Sequence, residues 1–358
     1  MKGRWRLAAA LALAAAGLAG CSTLGYYTQA AQGQLALLAE SRPIDDVIAD
    51  PATTAQLKIR LATARQIRAY AVAALALPDN QSYRNYTALS RPYVVWNVVA
   101  TPALSLKPLQ WCFPVAGCVN YRGYYDKGSA TAYADQLRQD GYDVQVGGVS
   151  AYSTLGYFND PLISTFIHYP DAELARLIFH ELSHQVVYVA GDSRFNESFA
   201  SAVEEAGVEQ WLQQFGNAAM RENYARYTAR RGDFLQLLLG CRRALEANYR
   251  SSASDAAKLT EKARLFARLQ SDYAQLKLQW GGYAGYDRFF AEPLSNAHLA
   301  AVATYTDLVP AFRALLRREG SFPAFYAAAR GLAALDKEER QRRLAALGGP
   351  VLSASRDE

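Results

Sequence analysis

Apolar positions along the chain follow two different spacings. Between Thr53 and Leu77 the residues Leu57, Ile59, Leu61, Ile67 and Val72 recur at helical intervals, and Pro78-Asp79-Asn80 ends the run, so the section from 21 to 90 reads as helical. From Tyr93 to Val149 the character changes. Tyr93-Val-Val-Trp-Asn-Val-Val-Ala and Asp143-Val-Gln-Val-Gly-Gly-Val are rich in β-branched and aromatic residues and are separated by Gly/Pro turns, which predicts a small, mostly antiparallel sheet within 91–170. Ala130-Thr-Ala-Tyr-Ala-Asp-Gln-Leu, inside Tyr125–Gly141, predicts a helix between those strands. From Asp171 to the end, 171–358, the pattern is almost wholly helical, broken at Gly191-Asp192, Gly216-Asn217, Gly281-Gly282, Glu292-Pro293, Gly320 and Gly348-Gly349-Pro350. The expected fold class is α+β, predominantly helical, with 21–358 as one body.

The amino terminus stands apart. Lys2, Arg4 and Arg6 precede an apolar run from Leu7 to Ala16 that is too short for a comfortable membrane span, so residues 1–20 read as a targeting segment. The segment closes with Leu18-Ala19-Gly20-Cys21, which resembles the lipobox of bacterial lipoproteins; the alternative is an ordinary secretory signal. The resemblance implies cleavage before Cys21 and acylation of its thiol and amine, and Ser22 in the next position resembles the outer-membrane sorting pattern. Several acyl chains on one residue make a durable anchor. Without the leader, 35 basic residues face 33 acidic ones, a net charge near +2 that gives no nucleic-acid footprint. An apolar content of 51% supports a sizeable core.

Cys112 and Cys118 lie on either side of the turn-rich Phe113-Pro-Val-Ala-Gly117, and an exported location is oxidising, so a Cys112–Cys118 disulfide is expected. A second metal site there would lack a neighbouring histidine. Cys241 reads as a lone thiol packed on a helix.

The chemistry concentrates at Phe179-His180-Glu181-Leu182-Ser183-His184-Gln185. Asp171-Ala-Glu-Leu-Ala-Arg-Leu-Ile-Phe is an acid-started helical run leading into it, with apolar Leu174, Leu177, Ile178 and Phe179. His180 and His184, four apart on a helix, can share one zinc ion, and Glu181 can act on water beside it. Composition alone produces such a pattern on the order of 0.002 times per chain, so accident explains it poorly. A catalytic zinc needs a third protein ligand and an open position. The helix is expected to continue through Val186-Val-Tyr-Val189, reach Ala190-Gly191, and restart behind Asp192-Ser193, which suit an N-cap after a glycine stop. Folding back would bring Glu197 to the same metal at a rise of about 1.5 Å per residue, while Glu204 and Glu205 compete on spacing.

His-Glu-x-x-His followed by Asn196-Glu197-Ser198-Phe199-Ala200 resembles the gluzincin metallopeptidases, and that resemblance implies Glu197 as the third ligand. The lipobox, the stretch from Cys112 to Tyr125 and the segment Asn296-Ala-His-Leu…Tyr305 together resemble a narrower group, the bacterial lipoproteins described as predicted zinc aminopeptidases, over most of the chain. The acidic residue that thermolysin-type gluzincins place four after the ligand Glu is Ser201 here. Orientation of His180 or His184 then falls to Ser201, Glu204 or Glu205, or to a backbone carbonyl. The Gly-x-Met-Glu-Asn signature of one large aminopeptidase family is absent, so the motif assigns no residue to a substrate amine.

The expected activity is therefore that of a one-zinc envelope peptidase on peptides or proteins, lipid-anchored in the outer membrane and facing the periplasm. Glu181 would take a proton from water as it attacks a peptide carbonyl and pass it to the leaving amine. Tyr305, with His298 seven residues earlier on the same helical face, is the candidate for stabilising the oxyanion, with Tyr283 and Tyr286 as outsiders. Thr165–Tyr169 is expected as an edge strand for an extended substrate, with His168 a strand residue rather than a ligand. The alternatives are an endopeptidase and a non-catalytic zinc lipoprotein. Glu181 argues against the last, since a structural zinc needs no base and closes its fourth position with protein.

Overall fold

The computed structural model describes residues 25–113, 117–300 and 308–348. In chain order these form helix α1 (25–39), strand β1 (Arg42–Pro43), α2 (Ile44–Ala49), α3 (Ala55–Ala73), β2 (Asn85–Thr87), β3 (Val95–Pro102), β4 (Trp111–Phe113), β5 (Gly117–Val119), β6 (Arg122–Tyr124), α4 (Lys127–Gln139), β7 (Tyr142–Val149) and β8 (Leu162–Ile163). Helices follow almost without interruption: α5 (Asp171–Ser183), α6 (Ser193–Phe215), α7 (Ala218–Arg250), α8 (Asp255–Gln279), α9 (Asn296–Ala300), α10 (Val309–Glu319), α11 (Phe322–Ala333) and α12 (Lys337–Gly348). The fold is α+β and predominantly helical.

The main sheet has the order β6-β3-β7 and is antiparallel throughout, with α4 packed on β3 and β7. A second small sheet, β1-β2-β8, contains the parallel pair β2–β8, and β4–β5 form a separate hairpin closed by the Cys112–Cys118 disulfide. The amino-terminal section thus carries two short strands that the helical spacing did not show. Several helices start where a side chain satisfies an orphan N–H: Thr54, Asp126, Asp192, Asn217, Ser254 and Ser321 each accept from the third residue onward. The break between α7 and α8 has no glycine or proline; Ser254 makes it by capping α8.

Three expectations need correcting. The helix of Thr53–Leu77 stops at Ala73, where Ala76 takes a left-handed φ of 50° and the Leu77 N–H returns to the Ala71 carbonyl. Residues 164–168 form successive turns rather than an edge strand, because the N–H groups of Phe166 and Ile167 turn back to the Ile163 carbonyl and both side chains enter the core. His168 is exposed on that turn. Finally, α5 ends at Ser183 and does not run through Val189.

The core is centred on α5 and α6. Leu174, Ala175, Ile178, Phe179 and Leu182 on α5 are fully buried against α3 and α6, each large side chain contributing roughly 1.5–3 kcal/mol by leaving water. Gly207 allows the close approach, since a Cβ there would lie 2.7 Å from Leu75 and 3.0 Å from Phe179. On the other side of α6, Phe195 and Phe199 pack edge-on against Phe312 of α10, and Phe199 stacks on Phe325 of α11.

Arg340 of α12 reaches across to the start of α6. Its Nε and Nη2 donate to Asp192 Oδ2 at 3.1 and 2.8 Å, while Asp192 Oδ1 caps α6 by accepting from the Phe195 N–H at 3.1 Å. Both side chains are nearly buried, so removing one strands the other in a poorly solvated place. Arg340→Ala should lower the unfolding free energy by about 3–5 kcal/mol, measured by urea denaturation; a loss below about 1 kcal/mol would mean the pair is effectively solvated.

Candidate metal centre and its cleft

The end of α5 and the start of α6 build one site. His180 projects from the last turn of α5, and His184, at the C-cap, keeps helical dihedrals of φ −60° and ψ −21°, so the two rings stay on one face although the helix stops. The chain then turns through 185–192. Asn196 holds this turn with both ends of its amide: its side-chain carbonyl accepts from the Val189 N–H and its NH2 donates to the Val189 carbonyl, each at 2.8 Å. That clamp takes the place of the expected helical turns through Val189. It also brings Glu197, the next residue, back over α5.

The side chains converge. His180 Nε2 and His184 Nε2 are 3.3 Å apart, and Glu197 places Oε2 3.2 Å from the first and Oε1 3.8 Å from the second. One donor atom from each residue lies within 4.8 Å of the others. Two nitrogens bound to one tetrahedral zinc at about 2.0–2.1 Å must stand about 3.3 Å apart, so the nitrogen pair already has the spacing such an ion requires. The donor set of two imidazoles and one carboxylate suits zinc and leaves a fourth position for water.

Glu204 takes a different place from Glu197. It is fully buried, with Oε2 2.8 Å from His180 Nδ1, and both its oxygens accept from Arg176 Nη1 at 3.0 Å. Arg231 Nη1 stands 4.0 Å away. A carboxylate 2.8 Å from Nδ1 favours a ring proton there, so that a metal ion displacing the other proton would bind at Nε2. Glu205 turns to Arg313 at 3.2 Å. Ser201 is 1% exposed and does not orient either histidine; its Oγ has no hydrogen-bond partner among the described residues.

The local field follows from these contacts. Burial opposes charge on Glu204, but Arg176, His180 and Arg231 outweigh it and hold the carboxyl down at about 2. Burial likewise opposes charge on His180, yet the carboxylates of Glu204 and Glu197 push it up to about 10. His184 lacks the Glu204 contact and burial depresses it to about 4. Burial raises Glu181 to about 7, against the pull of His180.

A cleft of about 630 Å³ opens over this centre, lined by Val95, Asn97 and Val149 of the main sheet and by His180, Glu181 and Glu197. Tyr121 and Tyr188 also line it, and were missed in the sequence. Burial, then Glu197, raises the Tyr188 hydroxyl. Its position four after His184 was the available signal. Tyr305 and Cys21 lie outside the described residues. His298 is not brought to the cleft: it is 6% exposed on α9, its Nδ1 accepts from the Ser295 N–H at 3.1 Å, and its ring packs on Phe289. Tyr286 stacks on Phe234 and Tyr283 lies under Arg230, both away from the cleft lining.

A family model described as "Putative aminopeptidase" matches residues 25–344. The chain belongs to the putative aminopeptidase family. Every described residue of the His-His-Glu cluster, together with Arg176 and Glu204, lies inside the stretch matched to the putative aminopeptidase family, and Cys21 precedes it. No curated protein and no solved structure matches the chain.

If Glu204 orients His180, Glu204→Gln or Arg176→Met should weaken divalent-cation binding about 10–100-fold, and Arg176→Met should also lower stability by stranding the buried Glu204. Titration against a chromophoric chelator measures this; unchanged affinity in both variants would remove Glu204 from the centre.

Proposed function

We propose that the protein is a zinc-dependent peptidase of the bacterial cell envelope, acting as an aminopeptidase. The observation that carries this is the convergence of His180, His184 and Glu197 donors beside Glu181 in an open cleft. His180 Nε2, His184 Nε2 and Glu197 would hold one zinc, with Glu204 fixing the His180 tautomer. Zinc bound there supplies Lewis acidity, drawing the pKa of water toward neutrality. Glu181 is the proton carrier: its carboxylate accepts the proton of the attacking water and returns it to the amine of the leaving peptide. Tyr121 and Tyr188, which line the same cleft, are the described candidates to donate to the developing oxyanion. Membership of the family supports the aminopeptidase activity.

The envelope location rests on the lipobox resemblance at Leu18-Ala-Gly-Cys21, and the Cys112–Cys118 disulfide suits an oxidising compartment. No helix of the described residues is long and apolar enough to cross a membrane, so the anchor would be the lipid on Cys21.

Glu181→Gln should retain one equivalent of zinc and lose about 10²–10⁴-fold in kcat/KM on free-amine peptides. Turnover near wild type would eliminate Glu181 as the base. Cleavage of amino-blocked peptides as fast as free ones would make the enzyme an endopeptidase, and zinc without any cleavage would favour a binding lipoprotein. Separately, Cys21→Ser should move the protein from the membrane pellet to the soluble periplasmic fraction; retention in the pellet would argue against lipid anchoring.

A further inference from the structure

A second cavity, of about 430 Å³, shares part of its wall with the cleft: Ser201 and Arg231 line both. Its other walls are Glu205 of α6, Leu235 of α7, and Val309, Pro310, Arg313 and Arg317 of α10. The amino-terminal end of α10 therefore opens into it. That end carries Pro310 in its first turn, and the Leu308 N–H before it donates to the Ser198 hydroxyl at 3.3 Å.

The charges are lopsided. Among the described residues that line it are three guanidinium groups and one carboxylate, Glu205, which is engaged by Arg313 at 3.2 Å. Arg317 is exposed and forms no ion pair among the described residues. Arg231 has its nearest carboxylate, Glu204, at 4.0 Å, and Glu204 already spends both oxygens on Arg176. Independently of charge, Ser201 Oγ is buried at the seam of the two cavities without a hydrogen-bond partner among the described residues.

We propose that this cavity is a carboxylate subsite of the peptide cleft. Arg231 and Arg317 would grip the carboxylate; an arginine fork matches a carboxylate's two oxygens. This deepens the peptidase reading and rests on it for the identity of the ligand, because Ser201 and Arg231 line both this cavity and the cleft over the candidate metal centre. The carboxylate belongs to the substrate, either its terminal carboxylate, which would select short peptides, or an Asp or Glu side chain, which would set a sequence preference.

The test uses the full-length chain carrying Glu181→Gln, loaded with zinc, so that binding is read without turnover. Calorimetry compares Ala-Ala-Ala, its C-terminal amide, and amidated peptides in which one Ala is replaced by Asp or Glu. The expected result is binding at least about tenfold tighter for the carboxylate-bearing member of a pair, the size of a charged hydrogen bond. The first pair reports a terminal carboxylate and the others a side chain. Adding Arg317→Gln or Arg231→Gln should reduce the preference below about threefold; Arg317 is exposed, so its replacement leaves the core untouched. Equal binding of acid and amide forms, absence of binding by all, or a preference unaffected by either arginine substitution would each overturn the subsite. Wild-type turnover is scored separately: a carboxylate preference with no cleavage sinks the peptidase reading while keeping the subsite, and cleavage with no preference does the reverse.

Discussion

A fully buried carboxylate is the constraint around which the site is arranged. Glu204 is tolerable in the interior only because Arg176 occupies both its oxygens and His180 Nδ1 faces it at 2.8 Å. Those contacts tie three features together. Arg176 and His180, four apart on α5, are both turned toward α6, a metal ion would bind His180 at Nε2, and Arg231 of α7 is drawn to the same charge. If Glu204 lost its cation, burial would favour its neutral form, and the charge that orders the His180 ring would go with it.

The rest of the architecture serves the turn between α5 and α6. Asn196 pins the turn to Val189, and Asp192 begins α6 while Arg340 holds Asp192 from α12. The disulfide hairpin comes up against the same turn: a Cβ on Gly117 would lie 2.5 Å from the Gly191 nitrogen, so no side chain fits there, and Gly191 itself takes a left-handed φ of 78° that favours glycine. The main sheet also contributes Val95, Asn97 and Val149 to the lining of the cleft that holds His180, His184 and Glu197. A rigid helix pair therefore carries the donors, and the sheet shapes what can approach them, a division that suits a site needing fixed ligands and a replaceable substrate.

The aromatic content, 23 tyrosines among it, divides along the same lines. Tyr326 is buried and donates to the Leu75 carbonyl at 2.8 Å, an anchor between α11 and the end of α3, whereas Tyr121 and Tyr188 open onto the cleft. Nothing in their local sequence separates these two uses, because a tyrosine packs equally well at a core edge and at a pocket wall.

Local order was largely readable from the chain itself. Helical spacing marked α3 and α5, β-branched and aromatic runs marked β3 and β7, and the glycines at 216, 281 and 320 marked where helices stop. His180, His184 and Glu181 were evident because a four-residue spacing on a helix is a local property, and Glu197 stood out once the chain was seen to resemble a known pattern. Ending α5 at Ser183, turning 164–168 away from strand, and removing His298 from the chemistry were decided by tertiary structure, through the Asn196 clamp, the burial of Phe166 and Ile167, and the packing of His298 on Phe289. The same holds for Glu204: spacing alone left it competing with Glu197 for the metal, and its reach past Nε2 to Nδ1 and Arg176 depends on how α6 lies across α5. Sequence determines which groups share a helix face; only the packing of one helix on another determines which atom of each group meets its partner.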